Sequence, residues 1–384
     1  MTETATAQPP TRNATLHDLA TLLRDHKARA VDLVVPSPAL RAVDTMLVIR
    51  DAPPLLTESG VTEVNGVYRP TKVADEGIAA KLGIPIKYLR EMRAHAPDLY
   101  DHNVNSWLRN PRYIGERFLL RGMRGTDPHG PGIARALLSD KYQIIDHLDG
   151  LTAALAGVEA AGVEVDITGC DLTDRRMYVR IRCQAVAVHA PRLLRNYRSP
   201  FTGAYGADNP VVFAGFEIAN SETGCGAFTL TPRLVFEVCA NGMTITRDAL
   251  RAVHLGGRLE EGPIRWSLDT QNKALELIKA KTGDAVRTFL DADYVRGVLD
   301  RIDQDAAKPI TDPAATIKAV AKPMAWTEQQ QNDILRHFIS GGDVTAGGVL
   351  HAVTATAQTL KDADAAHELE AHGIRAMELA AGRS

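Results

Sequence analysis

Arginines are concentrated in one stretch of the sequence. Between Arg175 and Ala207 there are seven arginines and no aspartate or glutamate, although the whole chain has a formal net charge of −3. Arginine neutralises phosphate groups and releases the counterions bound to nucleic acid. The stretch also contains Tyr178, Tyr197 and Tyr205, and an aromatic ring stacked on an unpaired base contributes about 1–3 kcal/mol. This combination is typical of surfaces that bind single-stranded nucleic acid.

A period of two in this stretch predicts a strand with two different faces. The core would contact Met177, Val179, Ile181 and Cys183, and the solvent would contact Arg176, Tyr178, Arg180 and Arg182. We predict a nucleic-acid interface that consists of Arg175, Arg176, Tyr178, Arg180, Arg182, Arg192, Arg195, Tyr197, Arg198 and Tyr205. Alternatively, these arginines lie at a solvated edge, at an oligomer interface, or in ion pairs with acids elsewhere in the chain.

Carboxylates and one cysteine allow two other chemistries. A metal-dependent nuclease needs carboxylates that converge on one point, and the candidates are Asp166, Asp171, Asp174, Glu217, Glu222 and Glu237. Their spacing matches no metal-binding motif. Cys225 has no histidine near it in sequence that would activate a nucleophilic thiol. We predict no catalytic residue, no metal ion and no cofactor, and a nuclease remains the alternative class.

The four cysteines are Cys170, Cys183, Cys225 and Cys239, and none of them forms a CxxC pair. Isolated cysteines in a long chain are typical of buried, reduced thiols in a reducing compartment. A zinc site that the fold assembles from these four residues is the alternative.

Residues 71–92 have the pattern of two short helices separated at Gly83. Such a pair is typical of a helix-turn-helix that contacts DNA, and equally of an ordinary packing unit. The second helix carries Lys87, Arg90 and Arg93 but no asparagine or glutamine that would read bases. Phosphate contact is therefore the role predicted for its basic residues.

The distribution of helical and extended patterns predicts an α+β protein with a central, mostly antiparallel sheet, flanking helices and a helical C-terminal region. We expect a disordered tail at 1–13, an N-terminal α+β region at 14–140, a β-rich core region at 141–262 and helices at 263–384.

Local signals predict several boundaries within these regions. Asn65-Gly66 indicates a hairpin between Val61–Val64 and Val67–Tyr68. Pro232 indicates a break between two strands, and helices are predicted at Trp266–Lys281 and Asp284–Ile302, which leaves a break at residues 282 and 283.

Composition is that of a globular protein, with 45% hydrophobic and 24% charged residues. No apolar run reaches the ~20 residues that a membrane-spanning helix needs, and the polar first residues contain no apolar signal segment. We expect a cytoplasmic protein, in a bacterium or a phage-infected cell, without a membrane partner.

Five segments together resemble the phage/plasmid-like protein family, whose members share a domain of unknown function. The segments are LGIPIKYLREM, RALLSDKYQIIDH, FEIANSETGCGAF, VFEVCANGM and HLGGRLEE. The resemblance extends from Val61 to Ile302, and its most specific parts are NSETG and CANGM. It implies an origin in phages or plasmids, which often carry their own replication and recombination proteins. The order of a helix, β-strands and further helices is also similar to single-strand annealing proteins of the RecT and Red-beta type, a similarity of layout that carries over no functional residue.

These observations lead to the hypothesis of a non-enzymatic protein that binds single-stranded DNA, and anneals it as a further activity, in phage or plasmid replication or recombination. The expected partners are single-stranded nucleic acid and other copies of the chain. Two alternatives remain open: a metal-dependent nuclease or other nucleic-acid enzyme, and a protein that binds a host factor and no nucleic acid.

Overall fold

The computed structural model of the chain describes residues 5–7, 10–51, 55–57, 60–62, 65–127, 130–142, 144–238, 242–252 and 268–382. The strands are β1 (Thr11–Ala14), β2 (Ala30–Pro36), β3 (Leu40–Val43), β4 (Met46–Ile49), β5 (Leu55–Thr57), β6 (Gly60–Thr62), β7 (Gly66–Pro70), β8 (Arg117–Met123), β9 (Gly132–Ser139), β10 (Asp166–Leu172), β11 (Met177–His189), β12 (Val211–Asn220), β13 (Phe228–Phe236), β14 (Gly242–Thr244) and β15 (Leu250–Ala252). The helices are α1 (Leu16–Arg29), α2 (Lys72–Leu82), α3 (Ile86–His95), α4 (Pro97–Leu108), α5 (His147–Ala160), α6 (Pro191–Leu194), α7 (Leu268–Phe289), α8 (Ala292–Ala306), α9 (Pro313–Met324), α10 (Glu328–Gly341), α11 (Ala346–Thr359), α12 (Ala363–Ala371) and α13 (Gly373–Ala380).

The predicted α+β class is confirmed. The central sheet has the strand order β1-β10-β11-β12-β13-β14, all neighbours are antiparallel, and β15 also pairs with β13. The long strands β11 and β12 are rich in valine, isoleucine and phenylalanine, which pack well on a pleated surface. Helices α1, α5, α7 and α8 contribute to the core on one face of this sheet. The C-terminal helices form a further core of their own.

The N-terminal segment is ordered at Thr11–Ala14, so the prediction of a disordered tail at 1–13 is wrong for its last residues. Thr11–Ala14 pairs with β10 as an edge strand. The backbone N–H of Asn13 donates to the carboxylate of Asp171 at 2.6 Å, and the Arg12 guanidinium binds the same carboxylate. The segment is polar and has no apolar pattern of its own. Its order comes from partners that lie more than 150 residues away in sequence, and a local pattern does not report them.

A second sheet, with the strand order β2-β8-β9-β7-β4-β3, carries α2, α3 and α4. Among the described residues, the strands on either side of Asn65-Gly66 do not pair with each other as the predicted hairpin requires. β6 pairs with β5, whereas β7 pairs with β4 and, in parallel, with β9. Tyr68 and Pro70 are buried in these pairings, and their burial outweighs the local turn preference. Residues 63 and 64 of the predicted hairpin lie outside the described residues.

Strand β13 runs through Pro232 without the predicted break. Its outer edge pairs with β15 at Phe228–Leu230 and with β14 at Arg233–Val235. The carbonyl of Pro232 accepts a hydrogen bond from Ile245 on that outer side. In an antiparallel strand the N–H of a residue points to the same side as its C=O. The N–H that proline lacks would therefore point outward, away from β12.

Helix α7 also runs through a predicted break, at Gly283. It crosses α5 at Gly157, where an added β-carbon would lie 2.5 Å from the Lys279 carbonyl oxygen. A β-carbon at Gly283 would lie 3.2 Å from the Gly157 carbonyl oxygen. Both glycines therefore allow two backbones to approach closely. Among the described helices, none is long and apolar enough to cross a membrane.

The centre of the main core is suited to a stability test. Val179 is fully buried on β11, so Val179→Ala should lower the free energy of unfolding by about 1–3 kcal/mol, because burial is lost and a cavity remains. Val43→Ala removes the same atoms from an exposed position on β3 and should change it by less than about 0.5 kcal/mol. Urea titrations measure both changes, and equal losses would contradict the assignment of Val179 to the core.

Candidate nucleic-acid interface and the charged cavities

The outer face of the central sheet carries the strand half of the predicted interface. As predicted, Met177, Val179 and Ile181 are fully buried in the main core, so the residues between them point to the opposite face. The prediction that this opposite face is exposed is wrong. Tyr178 and Arg180 retain only 5% and 9% exposure, because α12 packs over them.

Helix α12 places Asp364, His367 and Glu370 on this face at intervals of three residues. The imidazole of His367 stacks on the Tyr178 ring, with 3.7 Å between centroids and 6° between planes. The Tyr178 hydroxyl donates to the Asp364 carboxylate at 2.9 Å. Tyr178, which the sequence predicts to stack on a base, is thus stacked on a histidine of the same chain.

His367 is held between two carboxylates. Its Nδ1 lies 2.7 Å from Oε2 of Glu217, and its Nε2 lies 2.8 Å from Oδ2 of Asp171. Burial acts to lower the pKa of His367, but the charge of Glu217 and the hydrogen bonds to Asp171 and Glu217 outweigh this effect and raise the pKa to about 9. Because both ring nitrogens are engaged, His367 has no free lone pair with which to act as a general base.

Asp171 is shared by three cationic groups. It contacts Arg12 from β1, Arg180 from β11 and His367 from α12. Burial acts to raise the pKa of Asp171, but the hydrogen bond from His367 and the charge of Arg180 outweigh it, and the pKa falls to about 2. Arg180 also donates to the side-chain oxygen of Asn13 at 2.5 Å. Arg180 is therefore a buried ion-pair partner.

Arg233 on β13 forms a two-point ion pair with Glu370, at 2.7 and 3.0 Å. A β-carbon at Gly242 would overlap the Arg233 guanidinium, and one at Gly226 would overlap that of Arg176. These glycines belong to the CANGM and GCGAF segments, so the absence of a side chain there makes room for arginine. Sequence reasoning missed Arg233, His367 and Glu370, and the spacing of three along α12 is the signal that could have indicated a polar helix face.

The remaining strand arginines also have partners. Arg175 contacts Glu76 of α2 at 2.5 Å, and its Nη1 lies 3.6 Å from the Cys225 sulfur. Arg176 donates through Nε to the Cys225 carbonyl oxygen at 2.9 Å. Arg182 lies 3.3 Å from Asp166. In this half of the predicted interface, the arginines satisfy carboxylates and carbonyls of the chain itself.

Two cavities share His367 as a lining residue. The arginine cavity, of about 260 Å³, is lined by residues that include Arg12, Arg180, Arg182, Arg233, Gln358 and Glu370. The threonine cavity, of about 480 Å³, is lined by residues that include Thr229, Thr231, Thr244, Thr246, Arg175, Arg176 and Cys225. The strand half of the predicted interface thus lines two partly open cavities beside α12.

The loop half of the predicted interface lies at the surface. Arg192, Arg195, Arg198, Phe201 and Tyr205 are all exposed, and we refer to them as the loop surface. Two of the rings are accessible, with 46% exposure for Phe201 and 54% for Tyr205. The Arg198 guanidinium lies 5.4 Å from the centre of the Tyr205 ring.

Tyr197 of the predicted interface is buried, with 2% exposure, and stacks on His351 at 4.2 Å. It anchors the loop, and the prediction that its ring is available to a base is wrong.

The two-helix pattern is confirmed as α2 and α3, with Gly83 in a left-handed conformation (φ 67°) between them. The basic side chains predicted to contact phosphate are only partly accessible. Lys87 is exposed, and Arg90 is paired with Glu76 at 2.7 Å. The prediction is wrong for Arg93, which is buried and contacts Asp75 at 2.7 Å.

The NSETG segment joins the two sheets. Glu222 lies 2.6 Å from Arg135 of β9, and its backbone oxygen accepts from Arg121 of β8 at 3.1 Å. Burial acts to raise the pKa of Glu222, but the charges of His147 and Arg135 outweigh it and lower the pKa. Glu222, which a nuclease could have used, is thus neutralised by buried arginines.

Two of the cysteines, Cys170 and Cys183, are buried as expected, Cys225 is half-buried, and Cys239 lies outside the described residues. Within the described ranges, no three histidine, cysteine, aspartate or glutamate side chains are arranged to hold a metal ion.

Comparison with known proteins finds no matching family model, no matching curated protein and no matching solved structure. The resemblance to the phage/plasmid-like family therefore stays a prediction from the sequence segments.

Replacement of His367 by glutamine should remove a pH-dependent part of the stability. The folded-state pKa of about 9 lies above the unfolded value of 6.5, so the contribution of His367 is fully present below about pH 6.5 and is lost as the pH rises through about 9. It amounts to about 3 kcal/mol, at about 1.4 kcal/mol per pKa unit. Urea unfolding of both proteins at about pH 6 and about pH 9.5 measures it. We expect the difference between wild type and His367→Gln to shrink by this amount, and a constant difference would contradict the assignment.

Proposed function

We propose that this chain binds single-stranded DNA through the loop surface, as a non-enzymatic protein of phage or plasmid replication or recombination. The observation that supports the proposal is the exposure of Arg192 on α6 and of Arg195 and Arg198 after it, in the same segment as the exposed rings of Phe201 and Tyr205. A protein that binds single strands of any sequence needs arginines along the phosphate backbone and, beside them, aromatic rings that stack on the bases.

The loop surface is favoured over the strand arginines because its side chains are free to exchange partners. Arg192 is 83% exposed and lies 3.6 Å from Asp303, and an exposed pair of this kind contributes about 0–1 kcal/mol. Arg180 is different, because it is buried against Asp171. Breaking a buried ion pair costs about 3–5 kcal/mol, so a phosphate group would have to compensate for that loss.

The loop is held in one conformation before any ligand binds. Tyr197 is packed on His351, and Arg198 donates its backbone N–H to the Gly341 carbonyl at 3.0 Å. Ser199 closes a turn by donating to Ala204 at 2.9 Å. A preorganised loop loses less conformational entropy when a strand binds.

Simultaneous replacement of Arg192, Arg195 and Arg198 by alanine should weaken DNA binding and its dependence on salt. Each phosphate contact on a single strand contributes about 0.7 to the slope of log K against log salt, so the slope should decrease by about 2. Fluorescence anisotropy with a labelled oligothymidylate, titrated at two or more salt concentrations, measures this slope.

A matched control replaces three exposed arginines elsewhere, Arg24, Arg109 and Arg117, and should leave the slope nearly unchanged. The proposal fails if the wild-type chain does not bind at about 50 mM salt, or if both triple variants lose the same amount. Phe201→Ala with Tyr205→Ala should weaken binding without a change in slope, because stacking does not release counterions.

The nuclease alternative gives a separate prediction. Labelled single- and double-stranded DNA should remain intact with magnesium or manganese, because Glu217 and Glu222 are held by His367 and Arg135. Metal-dependent cleavage that disappears in Glu222→Gln or Asp174→Ala, with both variants folded by circular dichroism, would establish the enzyme instead.

The remaining parts of the proposal are a cytoplasmic location and self-association, and light scattering of the purified chain measures the latter. A chain that binds no DNA would leave the host-factor alternative.

A further inference from the structure

The arginine cavity has no part in the proposed function, yet it concentrates positive charge. Guanidinium groups from three strands reach it: Arg12 from β1, Arg180 and Arg182 from β11, and Arg233 from β13. Asn13, Thr168 and Gln358 add polar atoms to its wall, and Val235, Ala357 and Ala366 close it with apolar ones. Four arginines around about 260 Å³ form a local field that attracts anions.

The carboxylates near this cavity do not match its cations in number. The cationic groups that line it are Arg12, Arg180, Arg182, Arg233 and His367, whose two ring nitrogens each contact a carboxylate. The carboxylates in contact with these groups are Asp166, Asp171, Glu217 and Glu370. In the part of the chain that the structure describes, five cationic groups thus face four carboxylates, because Asp171 serves three of the cations, and one positive charge is left over for a ligand.

Arg182 is the side chain most available to that ligand. It is 28% exposed, the highest value among the four arginines, and it lies 3.3 Å from Asp166, which is itself 47% exposed. Its Nε–H is buried without an acceptor among the described residues. An atom enclosed in this way is out of reach of a ligand, so the contact with a ligand would come from the Nη groups of Arg182.

Other donors remain around the cavity. Arg12 binds Asp171 through Nη1, and Arg180 binds Asp171 and Asn13 through Nη2. Each guanidinium has five N–H groups, so nitrogens beyond those used in these contacts can face a ligand. The buried ion pairs hold the arginines in place, which preorganises the site.

We propose that the arginine cavity binds a phosphate group, carried either by a small phosphorylated molecule or by the end of a nucleic-acid strand. Phosphate presents oxygens in several directions and two negative charges, which suits guanidinium groups that converge from three strands. A carboxylate would be satisfied by one arginine in a two-point contact. The volume is slightly below the usual range for ligand pockets, so it fits phosphate with a small substituent.

Isothermal titration calorimetry with inorganic phosphate, in chloride buffer of constant ionic strength, tests the site. Arg182→Gln should weaken phosphate binding about tenfold or more, because a hydrogen bond to a charged group is lost. Arg24→Gln is the matched control, since it removes an exposed arginine of α1 that belongs neither to this cavity nor to the loop surface, and it should bind phosphate as the wild type does. Arg182→Lys, which keeps the charge but not the fork geometry, should bind with intermediate affinity.

The proposal is overturned if the wild-type chain shows no heat of binding up to about 10 mM phosphate, or if Arg182→Gln binds as tightly as the wild type while melting at the same temperature.

A second titration compares a short oligonucleotide with and without a 5′-phosphate. Tighter binding of the phosphorylated strand that depends on Arg182 identifies a strand end as the source. Equal binding of the two strands, with phosphate still bound, identifies a small molecule. Loss of DNA binding in the loop variants leaves this result unaffected.

Discussion

The buried carboxylate of Asp171 is the contact on which the outer face of the central sheet depends. It binds Arg12, Arg180 and His367, which come from the N-terminal strand, the middle of the sheet and the C-terminal helices. Like charges brought together in a poorly solvated space repel one another strongly. The C-terminal helices can therefore pack on an arginine-bearing sheet face only because this carboxylate, with Glu217 and Glu370, neutralises most of that charge.

Glu222 likewise neutralises buried positive charge where the two sheets meet. The guanidinium of Arg121 is fully buried there and contacts Asp32 at 2.9 Å and Asp146 at 2.7 Å. Arg135 is buried against Glu222. Both joints thus consist of buried arginines held by carboxylates from distant segments of the chain. The NSETG segment lies at the joint around Glu222, and Gly242 of CANGM leaves room for the Arg233 guanidinium, so packing and charge neutralisation account for both features.

The basic stretch of sequence from Arg175 to Ala207 consists of two halves with different surroundings in the structure. The strand half is engaged in intramolecular ion pairs and lines the cavities beside α12, whereas the loop half, apart from the buried Tyr197, is exposed from Arg192 onward. The division explains why the stretch contains no acid of its own. Its strand arginines take their carboxylates from β10 and α2, and acids next to them in sequence would point to the wrong place.

The sequence by itself determined the local structure, because periodicity acts over a few residues. The period of two placed Met177, Val179 and Ile181 in the core, and the α+β class with its helical C-terminal region followed from similar patterns. The exposure of Arg192, Arg195 and Arg198 also followed from the sequence, since exposure is the ordinary state of arginine.

Only the tertiary structure decided what covers the polar face of β11. The contact between His367 and Asp171 joins residues 196 positions apart, and no local pattern reports a partner at that distance. Pro232, Gly283 and Asn65-Gly66 were misjudged for the same reason. At each of them, pairing or close packing with a distant segment outweighed the preference of the local backbone.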